Sequence, residues 1–231
     1  MNKGESMGGS KGTVGNVRMV CLGGPDKIDG GSITSINASK MGADVRYIPE
    51  GRDGNGWFFD QGAIEWGKEL GHSHWLINCS STPLISESAM GAWSASMTFA
   101  ELEGTKTVMI IEPPEEKFDF GASWGLVIER IRQIHLIFVH PKALQAISKF
   151  EGIPVVDLLK EIRNRSLVPM VCSHDSASGS VIEHALGRSH VATGSGIGPF
   201  EWLAGFLCHL PKVGSGITGI DEAATVASRE K

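Results

Sequence analysis

The stretch ATGSGIGPF at residues 192–200, followed by AGFL at residues 204–207, decides the fold prediction. Its glycines permit positive φ angles and let backbone N–H groups approach a ligand closely. The apolar run after Pro199 predicts a buried helix whose positive N-terminal end faces that ligand. The pattern therefore predicts a turn that binds an anion, with phosphate as the expected ligand. The predicted members of this turn are Gly194, Ser195, Gly196 and Gly198.

Length and composition predict a single globular domain. The chain has 231 residues, 41% of them hydrophobic, which is enough to bury one sizeable core. We expect this domain to span residues 15–231, after a flexible tail rich in Gly, Ser and Lys at residues 1–14. The net charge is −5 and no Lys/Arg-rich run occurs, which argues against nucleic-acid binding because such surfaces need clustered positive charge. The expected partner is a small-molecule substrate, with self-association into a homo-oligomer as a further option.

The cysteines and the apolar segments indicate a reducing cytoplasm. Cys21, Cys79, Cys172 and Cys208 are widely separated and lie in apolar surroundings, so we expect buried thiols. No Cys-x-x-Cys pair suggests a zinc or redox centre, and a chain of this size needs no disulfide framework. No apolar run approaches the roughly 20 residues that cross a membrane, and the tail lacks the apolar centre of a signal peptide.

The N-terminal part predicts a βαβ unit. An apolar strand at residues 17–22 ends in a Gly-Gly-Pro-Asp turn, a helix covers residues 36–42, and a second strand covers residues 43–48. Parallel pairing of such strands places ligand sites beyond their C-terminal ends. Three residues after the first strand are therefore candidates for substrate binding: Asp26, Asp29 and Gly31.

The rest of the chain predicts further alternation of helices and strands. We expect an amphipathic helix at residues 57–70 and a β-hairpin around a Glu-Gly turn at residues 97–111. The other predicted helices cover residues 124–131, 142–150 and 155–164, and the other predicted strands cover residues 135–140, 168–172 and 181–183. This order is typical of an α/β fold with a central, mostly parallel sheet.

These motifs resemble the PfkB, or ribokinase-like, family of carbohydrate and nucleoside kinases. Family members have a Thr-Gly-Ala-Gly-Asp turn, a helix continuing Ala-Phe-x-x-Gly-Phe-Leu, and a second helix beginning near Glu-Glu-Ala. Here TGSG at residues 193–196, AGFL at residues 204–207 and DEA at residues 221–223 stand in similar places. The front end adds Gly30-Gly31 and a helix containing Asn37, like the Gly-Gly turn and Asn-containing helix of the family.

The resemblance implies a ribokinase-like α/β fold and ATP-dependent phosphoryl transfer to a hydroxyl of a sugar-like or nucleoside-like molecule. ATP and Mg²⁺ are the implied cofactors, and Asn37 is an implied substrate ligand. Ser176 and Gly179 lie where family members have a loop that touches the nucleotide phosphates. An ordinary polar turn at residues 174–180, between two strands, is the equal alternative for this segment.

The catalytic position of the family is altered in this chain. Ile197 follows the second glycine of the turn, where the family has an Asp that deprotonates the acceptor hydroxyl. The nearest carboxylate is Glu201, which is either a replacement base or a first-turn carboxylate favoured by the helix dipole. The alternative function is a catalytically inactive relative that binds a small molecule or another subunit. No metal-ligating side chains are predicted, since His72 and His74, the one close histidine pair, lack a carboxylate at helical spacing.

Overall fold

The computed structural model describes residues 17–24, 29–48, 51–53, 56–60, 62–116, 118–191 and 196–229. The predicted tail and the candidate site residues Asp26, Gly194 and Ser195 lie outside these ranges. Within them, no helix combines the length and the apolar character that crossing a bilayer requires.

Ten strands and eight α-helices occur in the described ranges. The strands are β1 Arg18–Leu22, β2 Asp44–Ile48, β3 Gly51–Asp53, β4 Gly56–Phe58, β5 Trp75–Cys79, β6 Lys106–Ile111, β7 Leu136–Val139, β8 Met170–Asp175, β9 Gly179–His184 and β10 Gly187–Val191. The helices are α1 Gly30–Lys40, α2 Trp66–Leu70, α3 Glu87–Glu103, α4 Phe120–Glu129, α5 Pro141–Glu151, α6 Val155–Ser166, α7 Pro199–Val213 and α8 Ile217–Ala227. Short 3₁₀ turns lie at Thr82–Leu84 and Ile131–Gln133.

Eight of the strands form one sheet in the order β10-β9-β8-β7-β6-β5-β1-β2. Six neighbouring strands, from β8 along this order to β2, pair in parallel. The pairs β8–β9 and β9–β10 are antiparallel. β3 and β4 pair separately with each other. The predicted α/β class with a mostly parallel sheet is confirmed, and this topology brings the C-terminal ends of the parallel strands to one edge.

Helices cover both faces of the sheet, and each face has its own core. α1, α7 and α8 enclose one core around Trp75, Phe138 and Trp202, while α2 to α6 enclose the other around Trp93 and Trp124. Each of these aromatic side chains is at most 2% exposed. The double coverage explains why β6 and β7 read as continuous apolar runs without alternating polar residues.

The predicted hairpin at residues 97–111 is wrong. α3 continues to Glu103, Gly104 ends it in the left-handed conformation at φ 73°, and β6 follows. Met97 and Ala100 are fully buried and lie three positions apart, which is helical spacing on the core-facing side. The Glu-Gly pair therefore ends a helix and does not turn a hairpin.

Other predicted helix boundaries are also corrected. The helix expected at residues 57–70 is limited to Trp66–Leu70, and residues 56–58 form a strand instead. α1 begins at Gly30, six residues earlier than expected, because Asp29 Oδ1 accepts a hydrogen bond from the Ser32 N–H at 2.7 Å and caps the helix.

Candidate functional site

The candidate site lies at the C-terminal edge of the parallel strands, where two helices begin side by side. α1 begins after the capping residue Asp29, and α7 begins after Gly198. A Cβ atom placed on Gly30 would lie 2.7 Å from a ring carbon of Phe200, which is in the first turn of α7. A side chain at position 30 would therefore displace the ring of Phe200.

The first N–H groups of α1 are bound by protein side chains. The Gly30 N–H donates to Oε1 of Glu112 at 2.9 Å, and the Gly31 N–H donates to Sγ of Cys79 at 3.1 Å. Together with the Asp29 cap, these bonds satisfy the positive end of the helix. Asp29 and Gly31, both predicted to bind substrate, do lie at this edge, but each takes part in these internal bonds.

Asn37 lies away from this edge. It is seven residues beyond Gly30 along α1, which corresponds to about 10 Å of helix. Its backbone oxygen accepts a hydrogen bond from the Met41 N–H at 3.1 Å. The structure therefore does not bring Asn37 together with Asp29 and Gly31.

Glu112 is a largely buried carboxyl group at this edge that the sequence-based prediction missed. It follows β6 directly, and the Ser81 hydroxyl donates a hydrogen bond to its Oε2. Burial raises the pKa of Glu112, and the hydrogen bonds from Gly30 and Ser81 only partly oppose this effect. The available signal was a Glu-Pro-Pro turn directly after an apolar strand, which is where ligand sites of parallel sheets lie.

Glu112→Gln is expected to remove a pH-dependent contribution to stability. Because the pKa of Glu112 is raised, the folded protein binds this proton more tightly than the unfolded chain does. Wild-type stability should therefore gain relative to the variant as the pH falls from 7 towards the ordinary pKa near 4.5. Urea denaturation at pH 7 and pH 5 measures the difference, with the exposed Glu129→Gln as control. A difference between wild type and Glu112→Gln that does not change with pH would contradict the raised pKa.

In the described residues, the one group of three side chains that could hold a metal ion is Asp29, Cys79 and Glu112. One ligand atom from each lies within 4.8 Å of the others. Mg²⁺ prefers oxygen ligands in octahedral geometry. Burial raises the pKa of Cys79 well above its usual value, and the charges of Glu112 and Asp29 raise it further, so this thiol stays protonated. The group does not fit Mg²⁺.

Unlike α1, α7 begins without a side-chain cap. Gly198 offers no side-chain cap, and Pro199 has no N–H group. The N–H groups of Phe200 and Glu201 therefore head the helix at its positive end. Gly196, in the preceding turn, has a φ of 102°, a conformation that favours glycine. Binding of a phosphate group at this end of α7 stays a prediction.

No side chain that accepts a proton follows the glycine turn. Ile197 is 2% exposed and belongs to the core beneath α7, and the next helical position is Pro199. Glu201 lies partly buried in the first turn of α7. Glu201 follows Phe200, whose ring lies 5.3 Å from that of His140. The role of Glu201 as a base stays a prediction.

Ser176 and Gly179 lie in the tight connection between β8 and β9. Oδ1 of Asp175 accepts hydrogen bonds from the N–H groups of Ala177 at 2.9 Å and Ser178 at 3.0 Å. Ser176 is exposed in this turn, and Gly179 begins β9 with a φ of 89°. A polar turn is therefore present here, and a contact of Ser176 and Gly179 with nucleotide phosphates stays a prediction.

His174 belongs to β8, although the sequence placed it in that turn. It is fully buried, and its ring stacks on Trp202 at 5.1 Å with an interplanar angle of 2°. Its Nε2 lies 3.3 Å from the backbone oxygen of Ile197, and burial lowers its pKa. His174 therefore connects β8 to the segment that leads into α7.

Several solved kinases share this architecture. Fructokinase from Vibrio cholerae O395, crystallised with fructose, ADP and calcium, matches with a TM-score of 0.66 and 11% identity over 92% of this chain and 90% of that chain. Aminoimidazole riboside kinase from Salmonella enterica matches with a TM-score of 0.60 and 14% identity over 94% and 78% of the chains. Adenosine kinase from Sinorhizobium meliloti matches with a TM-score of 0.64 and 14% identity over 94% of this chain and 71% of that chain.

A PfkB protein from Polaromonas sp. JS666 also matches, with a TM-score of 0.62 and 12% identity over 90% of this chain and 77% of that chain. No family model and no curated protein matches the sequence. Identities this low establish the fold and not the activity. The chain therefore has the ribokinase-like fold of the PfkB sugar and nucleoside kinases, as its motifs predicted.

Proposed function

We propose that this protein is an ATP-dependent kinase that phosphorylates a hydroxyl of a sugar-like or nucleoside-like small molecule. The observation that carries the proposal is the uncapped start of α7 beside the start of α1, at the C-terminal edge of a ribokinase-like sheet. Preorganised N–H groups stabilise the charge on a phosphoryl group during transfer. Kinases of this fold have been crystallised with ADP or with an ATP analogue.

In this proposal the residues around the two helix starts have separate roles in phosphoryl transfer. The turn from Gly194 to Gly198 holds the transferred phosphate through backbone N–H groups. Glu201 accepts the proton of the acceptor hydroxyl. ATP supplies the phosphoryl group and Mg²⁺ neutralises charge on its phosphates. The remaining predicted contacts are Asp26, Asp29, Gly31 and Asn37 with the acceptor, and Ser176 and Gly179 with the nucleotide.

A second function is favoured by one specific observation. Ile197 is buried and Pro199 opens the helix, so no group directly after the glycine turn can accept a proton. A protein with this arrangement can hold an anion without activating a hydroxyl. The second candidate is therefore a non-catalytic protein of the same fold that binds a small molecule or another subunit.

Nucleotide binding and turnover, measured separately, distinguish the two functions. Calorimetry with a non-hydrolysable ATP analogue and Mg²⁺ measures binding, and ADP release with a panel of sugars and nucleosides measures transfer. Binding with acceptor-dependent ADP release supports the kinase. Binding without transfer to any acceptor supports the second function, and no binding would contradict the nucleotide site of the kinase proposal.

Crystals grown in phosphate or sulfate are expected to show the anion at the turn before α7. The N–H groups between Gly194 and Gly198 should lie within hydrogen-bond distance of its oxygens, because the positive end of α7 favours negative charge there. Crystallographic refinement measures occupancy. A well-ordered turn with no anion at high sulfate concentration would contradict this part of the proposal.

We place the protein in the cytoplasm. All four cysteines are buried and none of them forms a disulfide in the described residues, and burial raises the pKa of Cys172, which keeps that thiol protonated and unreactive. Buried free thiols persist in a reducing compartment, whereas secreted chains commonly pair their cysteines. Fractionation of the native host measures the location, and recovery in the extracellular fraction would contradict it.

A further inference from the structure

A groove runs along the edge of the sheet where the parallel strands begin, opposite the candidate site. It consists of two cavities of about 180 and 290 Å³, both lined by Lys106 and Ser215. The first cavity extends to His74, and the second extends to His135 and His184. Lys106 begins β6 and Glu112 directly follows its end, which places the two residues about 20 Å apart at 3.3 Å per residue. The groove is therefore far from the N-terminus of α7.

Neighbouring strands supply a row of donors to this groove. His74 precedes β5, Lys106 begins β6 and His135 precedes β7, and these three strands are adjacent in the sheet. The Lys106 N–H donates to the His74 oxygen at 3.2 Å, and the His135 N–H donates to the Thr107 oxygen at 2.9 Å, which fixes the register at this edge. Strands lie about 4.8 Å apart, so the row is compact enough for one small ligand.

Both histidines in the row present an N–H donor. Nδ1 of His74 accepts a hydrogen bond from the Arg18 N–H at 3.1 Å, and Nδ1 of His135 accepts one from the Thr107 N–H at 3.4 Å. A neutral imidazole that accepts at Nδ1 carries its proton at Nε2. Burial lowers the pKa of each histidine and the positive charge of Lys106 lowers it further, so both rings are neutral at pH 7.

Lys106 supplies the positive charge between these two donors. Its Nζ lies 5.8 Å from the ring centre of Trp75, and within the described ranges it forms no ion pair with a carboxylate. Three acidic groups act on the histidines of the groove: Glu101 on His135, and Asp221 and Glu183 on His184. A ligand that brings negative charge to Lys106 would therefore supply the partner that this lysine lacks.

The start of α8 adds to the positive character of the groove. Gly216 precedes this 11-residue helix and provides no side-chain cap. Ser215, directly before it, lines both cavities, and Ile220 of the first turns lines the second. The positive end of the α8 dipole therefore borders the same space as Lys106.

We propose that this groove is a second ligand site, which binds a small molecule with several anionic oxygens, such as a phosphate ester. Lys106 makes a charge-assisted contact with the anion, and the Nε2–H groups of His74 and His135 flank it. The anionic part of the ligand follows from the row of N–H donors and the cation, while Met170, Leu186 and Ile220 in the second cavity suit the apolar part of an ester. Binding here does not depend on the kinase activity proposed for the opposite edge.

Pyrophosphate is the probe for this site, titrated into the full chain while ring ¹⁵N signals of the histidines are followed by NMR. The Nε2 signals of His74 and His135 should shift together and saturate. Backbone signals of Gly196 and Gly198 report separately on pyrophosphate at the other edge. Histidine signals that stay unchanged while Gly196 and Gly198 shift would overturn the proposal.

Lys106→Gln is expected to weaken pyrophosphate binding at the histidines about tenfold or more, as expected for loss of a charge-assisted hydrogen bond. Lys106→Arg keeps the charge and should retain most of the affinity. Lys160→Gln, on the exposed face of α6, removes the same charge elsewhere and should leave affinity unchanged. Equal affinities in Lys106→Gln and Lys160→Gln would overturn the proposal. Should Lys106→Gln fail to fold, the wild-type histidine titration decides.

Discussion

Trp202→Ala is expected to lower the free energy of unfolding by about 3–5 kcal/mol, the range for removing a fully buried aromatic side chain. Trp202 is 0% exposed, and its ring stacks at 5.1 Å on both His174 and Phe206. Its Nε1–H donates to the Ser228 hydroxyl at 3.2 Å, which joins α7 to the end of α8. Since domains of this kind have about 5–15 kcal/mol of stability in total, urea denaturation should show a large shift of the midpoint.

Two variants identify the source of the Trp202 effect. Trp202→Phe keeps an aromatic ring for stacking but loses the N–H group that donates to the Ser228 hydroxyl. We expect the free energy of unfolding to fall by a smaller amount, about 1–3 kcal/mol, because this hydrogen bond and part of the side-chain volume are lost. Phe150→Ala removes an aromatic ring that is 62% exposed and should cost less than about 1 kcal/mol. A Trp202→Ala protein as stable as Phe150→Ala would show that the stacked cluster does not hold α7 on β8.

The α/β class was predictable because the parallel strands are buried on both faces. β1, β7 and β8 stand out in the sequence as short apolar runs between turn signals, and the expected strands overlap the observed ones. The helix α3 was missed because the Glu-Gly pair at residues 103–104 predicts the turn of a hairpin. Its buried residues nevertheless repeat at helical spacing, and the capping bond from the Ala89 N–H to Ser86 marks its start. Over only a few residues, the strand period of two residues is matched more easily than the helix period of 3.6 residues.

The candidate site was only partly predictable, since it combines residues from distant parts of the chain. The uncapped start of α7 follows from the local sequence, because Gly198 and Pro199 provide no side-chain cap. The partners of Gly30, by contrast, depend on strand order: Glu112 reaches it across 82 positions. The row of His74, Lys106 and His135 likewise arises from the register of three strands. These residues are far apart in the sequence, and a lone histidine or lysine carries little signal.

Glu201→Gln is expected to lower turnover about 10²–10⁴-fold if Glu201 is the general base of the proposed kinase. The amide is nearly isosteric with the carboxyl group but accepts no proton, so the acceptor hydroxyl is no longer activated in the transition state. Affinity for an ATP analogue should change little, because the backbone N–H groups at the start of α7 remain. Steady-state kinetics and calorimetry measure the two quantities separately.

Glu87→Gln is the matched control for the Glu201 variant, since Glu87 is also a first-turn carboxylate, in α3, and is exposed. Each substitution removes a favourable interaction with a helix dipole, worth about 0.3–1 kcal/mol of stability. If both variants lose similar stability and neither loses turnover, Glu201 serves its helix alone and the catalytic assignment fails. A selective loss of turnover in Glu201→Gln would instead locate the base one helical position beyond Phe200. The hydrocarbon side chain of Ile197 cannot take that role, since it neither accepts a proton nor orients an attacking hydroxyl.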